Sequence, residues 1–222
     1  VDNIMTYKNI KRILDIIFSL FCIIILAPVF VLVAIAIKLE SEGPIIFKQE
    51  RLGLNGRVFK MYKFRSMRVG AEKQGSGQYS YEGDPRVTKV GKIIRATSID
   101  EIPQFINVLK GDMSIIGPRP PLTYHPWSFE EYTEVQRRRF LVRPGITGWA
   151  QINGRKELPW KRRIEYDIEY VENLSFNIDI KIFILSIFKV LSMQGNVNVG
   201  VTVNKNVKNV GVDNGTKTDV YN

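Results

Sequence analysis

Hydrophobic and polar positions divide the chain unevenly, and the sharpest division comes early: residues 16–37 are 22 consecutive positions without a charge. As a straight helix such a run reaches about 33 Å, enough to cross a hydrocarbon core of about 30 Å. Two features oppose a simple span. Pro28 removes a backbone donor and clashes with the preceding turn, which predicts a break at Ala27-Pro28 and two arms, 16–27 and 29–37, each too short to cross. Lys8, Lys11 and Arg12 precede the run, while Lys38, Lys48 and Arg51 follow it, so both flanks carry the charge that stays on the cytoplasmic side. A re-entrant helix that dips into one leaflet and returns satisfies both facts, with a plain kinked span as the alternative. A cleaved signal peptide fits less well, because the run is long and no small-residue cleavage site follows it.

Beyond the run the pattern changes period. Gly43-Pro44 ends the first helix, and 45–64 reads as two strands around Leu54-Asn55-Gly56, where Asn-Gly suits a type I′ hairpin turn. Residues 70–86 are rich in Gly, Ser, Glu and Asp without an apolar period, a loop that either closes over a site or is a passive surface feature. Helical spacing returns over 95–109, 130–140 and 160–171. Residues 178–191 are strongly apolar on one side but carry Asp179, Lys181 and Lys189, which suits either an amphipathic helix in the membrane interface or an ordinary core-facing helix. After Gln194 the chain turns to Asn, Val, Gly and Lys without periodicity, which predicts disorder. The expected fold class is α+β, mainly helical, in three parts: a re-entrant membrane helix over 1–40 with basic flanks, a catalytic domain over 41–195, and a disordered tail over 196–222.

Length and charge constrain this picture. About 180 residues follow the apolar run, enough for one compact domain with its own core. The formal net charge of +10 points to anionic partners: acidic lipid headgroups, phosphorylated substrates or nucleic acid. The single cysteine, Cys22, excludes an intrachain disulfide, and zinc-ligand spacing is absent.

Candidate chemistry begins at Thr97-Ser98-Ile99-Asp100-Glu101-Ile102-Pro103. Ser98 and Glu101 have capping-box spacing, so these residues on their own read first as a helix start. Pro103 favours Asp100 as the cap, because it then falls in the tolerant first turn. In either case two adjacent carboxylates meet a helix dipole that keeps them ionised, and an ionised carboxylate can coordinate Mg²⁺ or attack phosphorus. Gly117-Pro118-Arg119-Pro120-Pro121 mounts an arginine between prolines, a rigid support for a five-donor fork that can hold phosphate. Lys63-Phe64-Arg65-Ser66-Met67 and the segment 143–155, from Arg143 to Arg155, add cations, with glycines that let backbone donors approach a ligand.

Taken together these segments closely resemble the small monotopic phosphoglycosyl transferases of bacteria. The resemblance covers roughly 7–193 and is carried, in family order, by Lys-Phe-Arg-Ser-Met, by Asp100-Glu101, by the run from Asn107 to Ser114, by Gly-Pro-Arg-Pro and by the glycine-containing segment. The family's proline-broken helix falls on Pro28, although many members have Ser-Pro where this chain has Ala27-Pro28. Longer members carry further transmembrane helices and another domain ahead of this core, which the sequence in hand does not. The resemblance implies transfer of a sugar 1-phosphate from a UDP-sugar to a polyprenyl phosphate with release of UMP, as the first membrane step of glycoconjugate synthesis. Asp100 is then the nucleophile that forms a phosphosugar-aspartate, and Mg²⁺ is the cofactor, held by Asp100 or Glu101. Glu101 is also a candidate for proton transfer. Arg119, with Pro118 and Pro120, and Arg95, Lys63, Arg65, Arg143 and Arg155 are the candidates for binding phosphate or uridine. The expected partners are the UDP-sugar, polyprenyl phosphate, membrane lipids and downstream glycosyl transferases, with no nucleic acid. The expected location is the cytoplasmic membrane, with the catalytic domain on its cytoplasmic face.

Several other residues invite a role. His125, the only histidine, suits surface packing better than general-base work. Arg137-Arg138-Arg139 reads as a solvated helix face more readily than a lipid-phosphate grip. Asp167 is a candidate for orienting an arginine or helping at the metal, and Trp149 either stacks on uracil or packs in the core. Two rival functions remain, a glycosyl transferase that releases UDP and a basic membrane adaptor without activity. The first lacks a Rossmann signature and an Asp-x-Asp pair, and the second gives no reason for Asp100-Glu101.

Overall fold

The computed structural model describes residues 2–74, 80–81, 83–154 and 158–191. Arg155 and the tail 196–222 lie outside the described residues, as does part of the 70–86 loop. The first element, α1 (Asp2–Glu40), is one helix with Pro28 inside it. Proline does not divide it into two elements, and the segments on both sides pack on the same body. Phe18 meets Phe105 and Phe183 at ring-centroid distances of 6.3 and 5.4 Å, and Phe30 meets Phe64 at 5.2 Å. Asp15, Ser19, Phe30, Val33 and Ile37 fall on one helical stripe facing the body. The rest of the helix exposes large apolar side chains, among them Ile17, Phe21, Ile24, Leu32 and Ile35.

The end of α1 is held by polar side chains from distant segments. Arg65 donates to the carbonyls of Ile37, Ser41 and Glu42. The Glu40 carboxylate accepts from the backbone N–H of Lys89 and of Val90, the latter at 2.9 Å, and so caps the next helix, α2 (Lys89–Ala96).

Strands β1 (Ile46–Leu52) and β2 (Val58–Phe64) form the expected antiparallel hairpin, with register Ile46↔Phe64 to Leu52↔Val58. At its tip Asn55 (φ 54°, ψ 29°) and Gly56 (φ 75°) take positive φ in succession, and Arg57 N–H donates to the Leu54 carbonyl at 3.1 Å, the type I′ turn that Asn-Gly predicts.

The helix expected over 95–109 is divided. After α2, Ser98 adopts a left-handed conformation (φ 59°), a single 3₁₀ turn covers Ile99–Glu101, and α3 (Gln104–Lys110) begins after Pro103. Neither Ser98 nor Asp100 caps a helix by its side chain. Pro103 instead stands at the helix entry, where a missing N–H costs nothing. The helix expected over 130–140 is likewise reduced to short pieces, a 3₁₀ turn at Phe129–Glu131, α4 (Glu134–Arg137) and a further 3₁₀ turn at Arg138–Phe140. Thr133 and Gln136 form a reciprocal capping box there, at 3.3 and 3.0 Å, which starts a new helix within the predicted one.

Two three-residue strands went unforeseen. β3 (Ser114–Ile116) and β4 (Gly145–Thr147) pair in parallel, extended by Gly117 N–H to the Thr147 carbonyl and Gly145 N–H to the Pro118 carbonyl, both at 2.9 Å. A Cβ at Gly145 would meet backbone atoms of Gly117 and Thr147. The glycines of this segment let backbone approach backbone, where the sequence points to backbone approaching a ligand.

Beyond β4 come α5 (Trp149–Ile152), α6 (Trp160–Glu172) and α7 (Phe176–Leu191). Met61, Val108, Met113, Tyr170 and Ile182 are nearly inaccessible and form the main core between β2, α3, α6 and α7. Each contributes about 2 kcal/mol by leaving water. Trp149 packs against this core beneath Lys181, which settles on packing for that ring. α7 buries Asp179 and Ile182 and exposes Phe176, Ile180, Ile184, Ile187 and Phe188.

Candidate active site

The short turn between α2 and α3 presents Asp100 and Glu101 at the edge of a cleft of about 1090 Å³, walled by β2, α2, the Arg119 segment and helices α5 to α7. The two carboxylates live differently. Glu101 Oε1 accepts from Lys63 Nζ at 2.7 Å and from Arg119 Nη2 at 2.9 Å. Burial alone would raise its pKa, but the charges of Arg119 and Lys63 outweigh that and hold it well below the usual carboxylate range. Asp100 makes no hydrogen bond among the described residues, its nearest cation being Lys63 Nζ at 4.0 Å. Burial raises its pKa, with Lys63 opposing and Glu101 adding to the rise. One carboxylate is thus pinned and ionised, the other unengaged.

Arg119 is carried between β3 and the Pro121-Leu122 stretch, which pairs with the end of β1 through Leu52 N–H to the Pro121 carbonyl at 3.0 Å. Its carbonyl accepts from Arg139 Nη2 at 2.9 Å, and the neighbouring Pro120 carbonyl accepts from Arg51 Nη1 at 3.0 Å. The Arg119 side chain is 41% exposed at the cleft wall, so the remainder of its fork is open to a ligand. Pro118 and Pro120 do not line this cleft; they shape the mount. Arg95 does line it, donating Nε to Ser66 Oγ and Nη1 to Ser80 Oγ, both at 2.7 Å. Its burial lowers its pKa, and the Asp100 and Asp84 charges offset part of that.

Of the cations expected to bind substrate, Lys63, Arg95 and Arg119 therefore converge on the cleft. Arg65 and Arg143 do not. Arg65 spends its guanidinium on the end of α1, and Arg143 Nε donates to the Gly111 carbonyl at 2.9 Å. Both are consumed by carbonyls that helix ends leave unpaired.

Sequence reasoning missed two arginines. Arg51, half-buried at the cleft wall, donates to the Pro120 carbonyl next to Arg119, and desolvation, then the Arg119 charge, push its pKa down to about 9. Arg139 pairs with Asp167 at 2.6 Å, both nearly inaccessible, while its neighbour Arg138 pairs at the surface with Glu172 at 2.9 Å and Arg137 lies over the Phe129 ring. Nothing in three identical neighbours marks the third. Asp167 does orient an arginine, one of the two roles considered for it. His125 packs edge-on against Trp160, the packing role expected.

The donor set fits Mg²⁺ on one condition. Among the described residues no group of three or more His, Cys, Asp or Glu stands together. The chain offers two carboxylates, Asp100 unengaged and Glu101 with Oε2 outside its ion pairs. That suits an ion that keeps waters and borrows phosphate oxygens from a substrate, and does not suit a cage made wholly of protein.

Comparison with known proteins gives the geometry its context. The family model described as "Bacterial sugar transferase" matches residues 6–193. The chain is 46% identical over 187 residues to the UDP-glucose:undecaprenyl-phosphate glucose-1-phosphate transferase of Escherichia coli (strain K12), covering 82% of this chain and 40% of that relative. It is 43% identical over 187 residues to the uncharacterized sugar transferase EpsL of Bacillus subtilis (strain 168), covering 84% and 89%. It is also 43% identical over 189 residues to the UDP-N-acetylgalactosamine-undecaprenyl-phosphate N-acetylgalactosaminephosphotransferase of Aeromonas hydrophila, covering 84% and 44%. The chain thus spans about two-fifths of the length of two of these relatives and most of the third.

Proposed function

The chain belongs to the bacterial sugar transferase family, and from that premise we propose that it transfers a sugar 1-phosphate from a UDP-sugar to a polyprenyl phosphate, releasing UMP. The observation that carries this proposal is the division of labour in the dyad: Asp100 unengaged in the cleft, Glu101 pinned by Lys63 and Arg119. A carboxylate oxygen of Asp100 attacks the sugar-linked phosphorus, and the P–O bond to UMP breaks, with the electron pair leaving on UMP. A phosphate oxygen of the polyprenyl phosphate then attacks the same phosphorus and frees Asp100, giving the polyprenyl diphosphosugar. Splitting one transfer into two displacements means that a soluble anion and a lipid anion need never share the site. Lys63, Arg95 and Arg119 hold the phosphates and balance the charge that develops. When bound at the dyad, Mg²⁺ supplies neutralisation of the diphosphate and favours departure of UMP.

We propose a re-entrant arrangement for α1, in which it enters and leaves the bilayer on the same side, supported by its docking along one body on both sides of Pro28 and by its apolar outer face. With its basic flanks, that side is the cytoplasmic one. The exposed apolar row on α7 rests in the interface and sets the depth at which the cleft meets a lipid phosphate.

Nucleotide release tests the proposal. Protein in nanodiscs with Mg²⁺, undecaprenyl phosphate and a panel of UDP-sugars is expected to yield UMP with at least one sugar, dependent on the lipid. UDP in place of UMP would favour direct glycosyl transfer and remove Asp100 from the mechanism.

A further inference from the structure

The cleft wall formed by α5 and α6 holds polar atoms that nothing among the described residues satisfies. Asp167, on α6, is 1% exposed, and while its Oδ2 accepts from Arg139 Nη2 at 2.6 Å, its Oδ1 has no hydrogen-bond partner. On α5 both amide atoms of Gln151 are also unpartnered. Both residues line the cleft that contains Asp100 and Arg119. An orphaned buried polar atom costs about 1–3 kcal/mol, so three of them in one wall of a ligand cleft is a concentration that calls for a ligand.

Position narrows what that ligand is. Arg139 Nη2 bonds both Asp167 Oδ2, at 2.6 Å, and the Arg119 carbonyl, at 2.9 Å, so the carboxylate stands two hydrogen bonds from the residue that faces phosphate. A phosphate held by Arg119 and Lys63 carries a sugar ring on its ester oxygen, and that ring reaches groups next to Arg119. The chemistry matches as well. A carboxylate oxygen accepts from hydroxyls, and an amide both donates and accepts, the pattern that neighbouring ring hydroxyls require. The Arg139 ion pair fixes which Asp167 oxygen is left over.

We propose that Asp167 Oδ1 and the Gln151 amide form a subsite for ring hydroxyl groups of the nucleotide-sugar donor, an inference that rests on the donor class proposed above. Two rings of the donor carry such hydroxyls, the transferred hexose and the ribose. Asp167 is expected to accept as the anion at neutral pH, since burial raises its pKa only to about 6 against the opposing charge of Arg139.

Equilibrium binding by the full chain in nanodiscs with Mg²⁺ tests this. The wild type, Asp167→Asn and Gln151→Met are each titrated with the tightest-binding UDP-sugar, with its analogues lacking single hexose hydroxyls, and with the 2′-deoxyribose analogue. In Asp167→Asn the amide oxygen keeps the Arg139 contact and turns an NH₂ to the cleft, replacing an acceptor by a donor. The expected result is that loss of one hydroxyl weakens wild-type binding about ten- to a hundredfold, and that the variants lose most of this discrimination. The arm in which discrimination disappears identifies the ring. Wild-type discrimination retained by both variants, in both arms, would overturn the subsite and leave the proposed function standing. Should Asp167→Asn not fold, Gln151→Met carries the same comparison. A wild type that binds no UDP-sugar would overturn both proposals.

Discussion

Asp15, on the outwardly apolar helix α1, accepts a 2.7 Å hydrogen bond from Ser114 Oγ at the start of β3, and its other oxygen accepts from Ile115 N–H at 3.0 Å. A buried carboxylate in this place registers the helix against the strand that leads to Arg119. Asp15→Ala leaves the buried Ile115 N–H unpaired, while Ser114 Oγ keeps the Ile116 carbonyl at 3.0 Å as acceptor, and is expected to cost about 1–3 kcal/mol, with Asp15→Asn costing less. Thermal unfolding in a fixed detergent measures both, and equal melting temperatures for wild type and alanine variant would contradict the role.

Asp100→Asn removes the one unengaged carboxylate of the dyad while keeping its shape. Turnover is expected to fall by at least about 10³-fold with little change in melting temperature. Intact-mass measurement adds a direct readout. Wild type given donor without polyprenyl phosphate should gain the mass of a phosphosugar, and the variant should not.

The two carboxylates shift in opposite directions, and the consequences are opposite too. Burial raises the Asp100 pKa, so its neutral, non-nucleophilic form persists above the ordinary value of about 3.9. The acid limb of kcat/KM is therefore expected above that value. Glu101, held low by Arg119 and Lys63 against its burial, contributes stability that is present above about 4.3 and is lost as pH falls through its lower folded value. A pH–rate profile with its acid limb at or below the ordinary value would speak against Asp100 as the attacking group.

Two arginines of neighbouring motifs are expected to behave differently. Arg119→Ala should lower kcat/KM about a hundredfold without altering membrane association, because its open fork faces the cleft. Arg65→Ala uncaps the Ser41 and Glu42 carbonyls at the end of α1, the Ile37 carbonyl keeping its Ser41 N–H donor, and should lower stability by about 2–3 kcal/mol, leaving donor KM nearly unchanged. Kinetics and melting curves on the pair separate a ligand-facing arginine from a helix-ending one.

Gly145→Ala places a methyl group against backbone atoms of Gly117 and Thr147, which cannot move aside as a side chain can. The β3–β4 pairing should loosen at a cost of about 3 kcal/mol. Because Arg119 follows directly on β3, activity is expected to fall further than stability alone accounts for. A variant with wild-type melting and turnover would show the close approach to be tolerant.

The elements that could be read in advance are those whose instructions lie within a few residues. The uncharged run produces α1, Asn55-Gly56 turns back the hairpin through two positive φ values, and apolar spacing yields α6 and α7. Asp100, Glu101, Lys63, Arg95 and Arg119 were legible as a set because their motifs recur in a known order. The boundary between α2 and α3 was not, since a left-handed Ser98 is a choice made by the packing of both helices. The amino-acid sequence by itself determined the long helices α1, α6 and α7 and the β1–β2 hairpin, and that a carboxylate pair and several cations are at hand. Only the tertiary structure decided which cation does what: Arg119 opens to the cleft, Arg65 ends a helix, and Arg139 pairs with Asp167. The physical reason is range. Periodicity and turn preference act between adjacent residues, whereas an arginine's role depends on which carboxylate or carbonyl, tens of residues away, folding brings within hydrogen-bond distance.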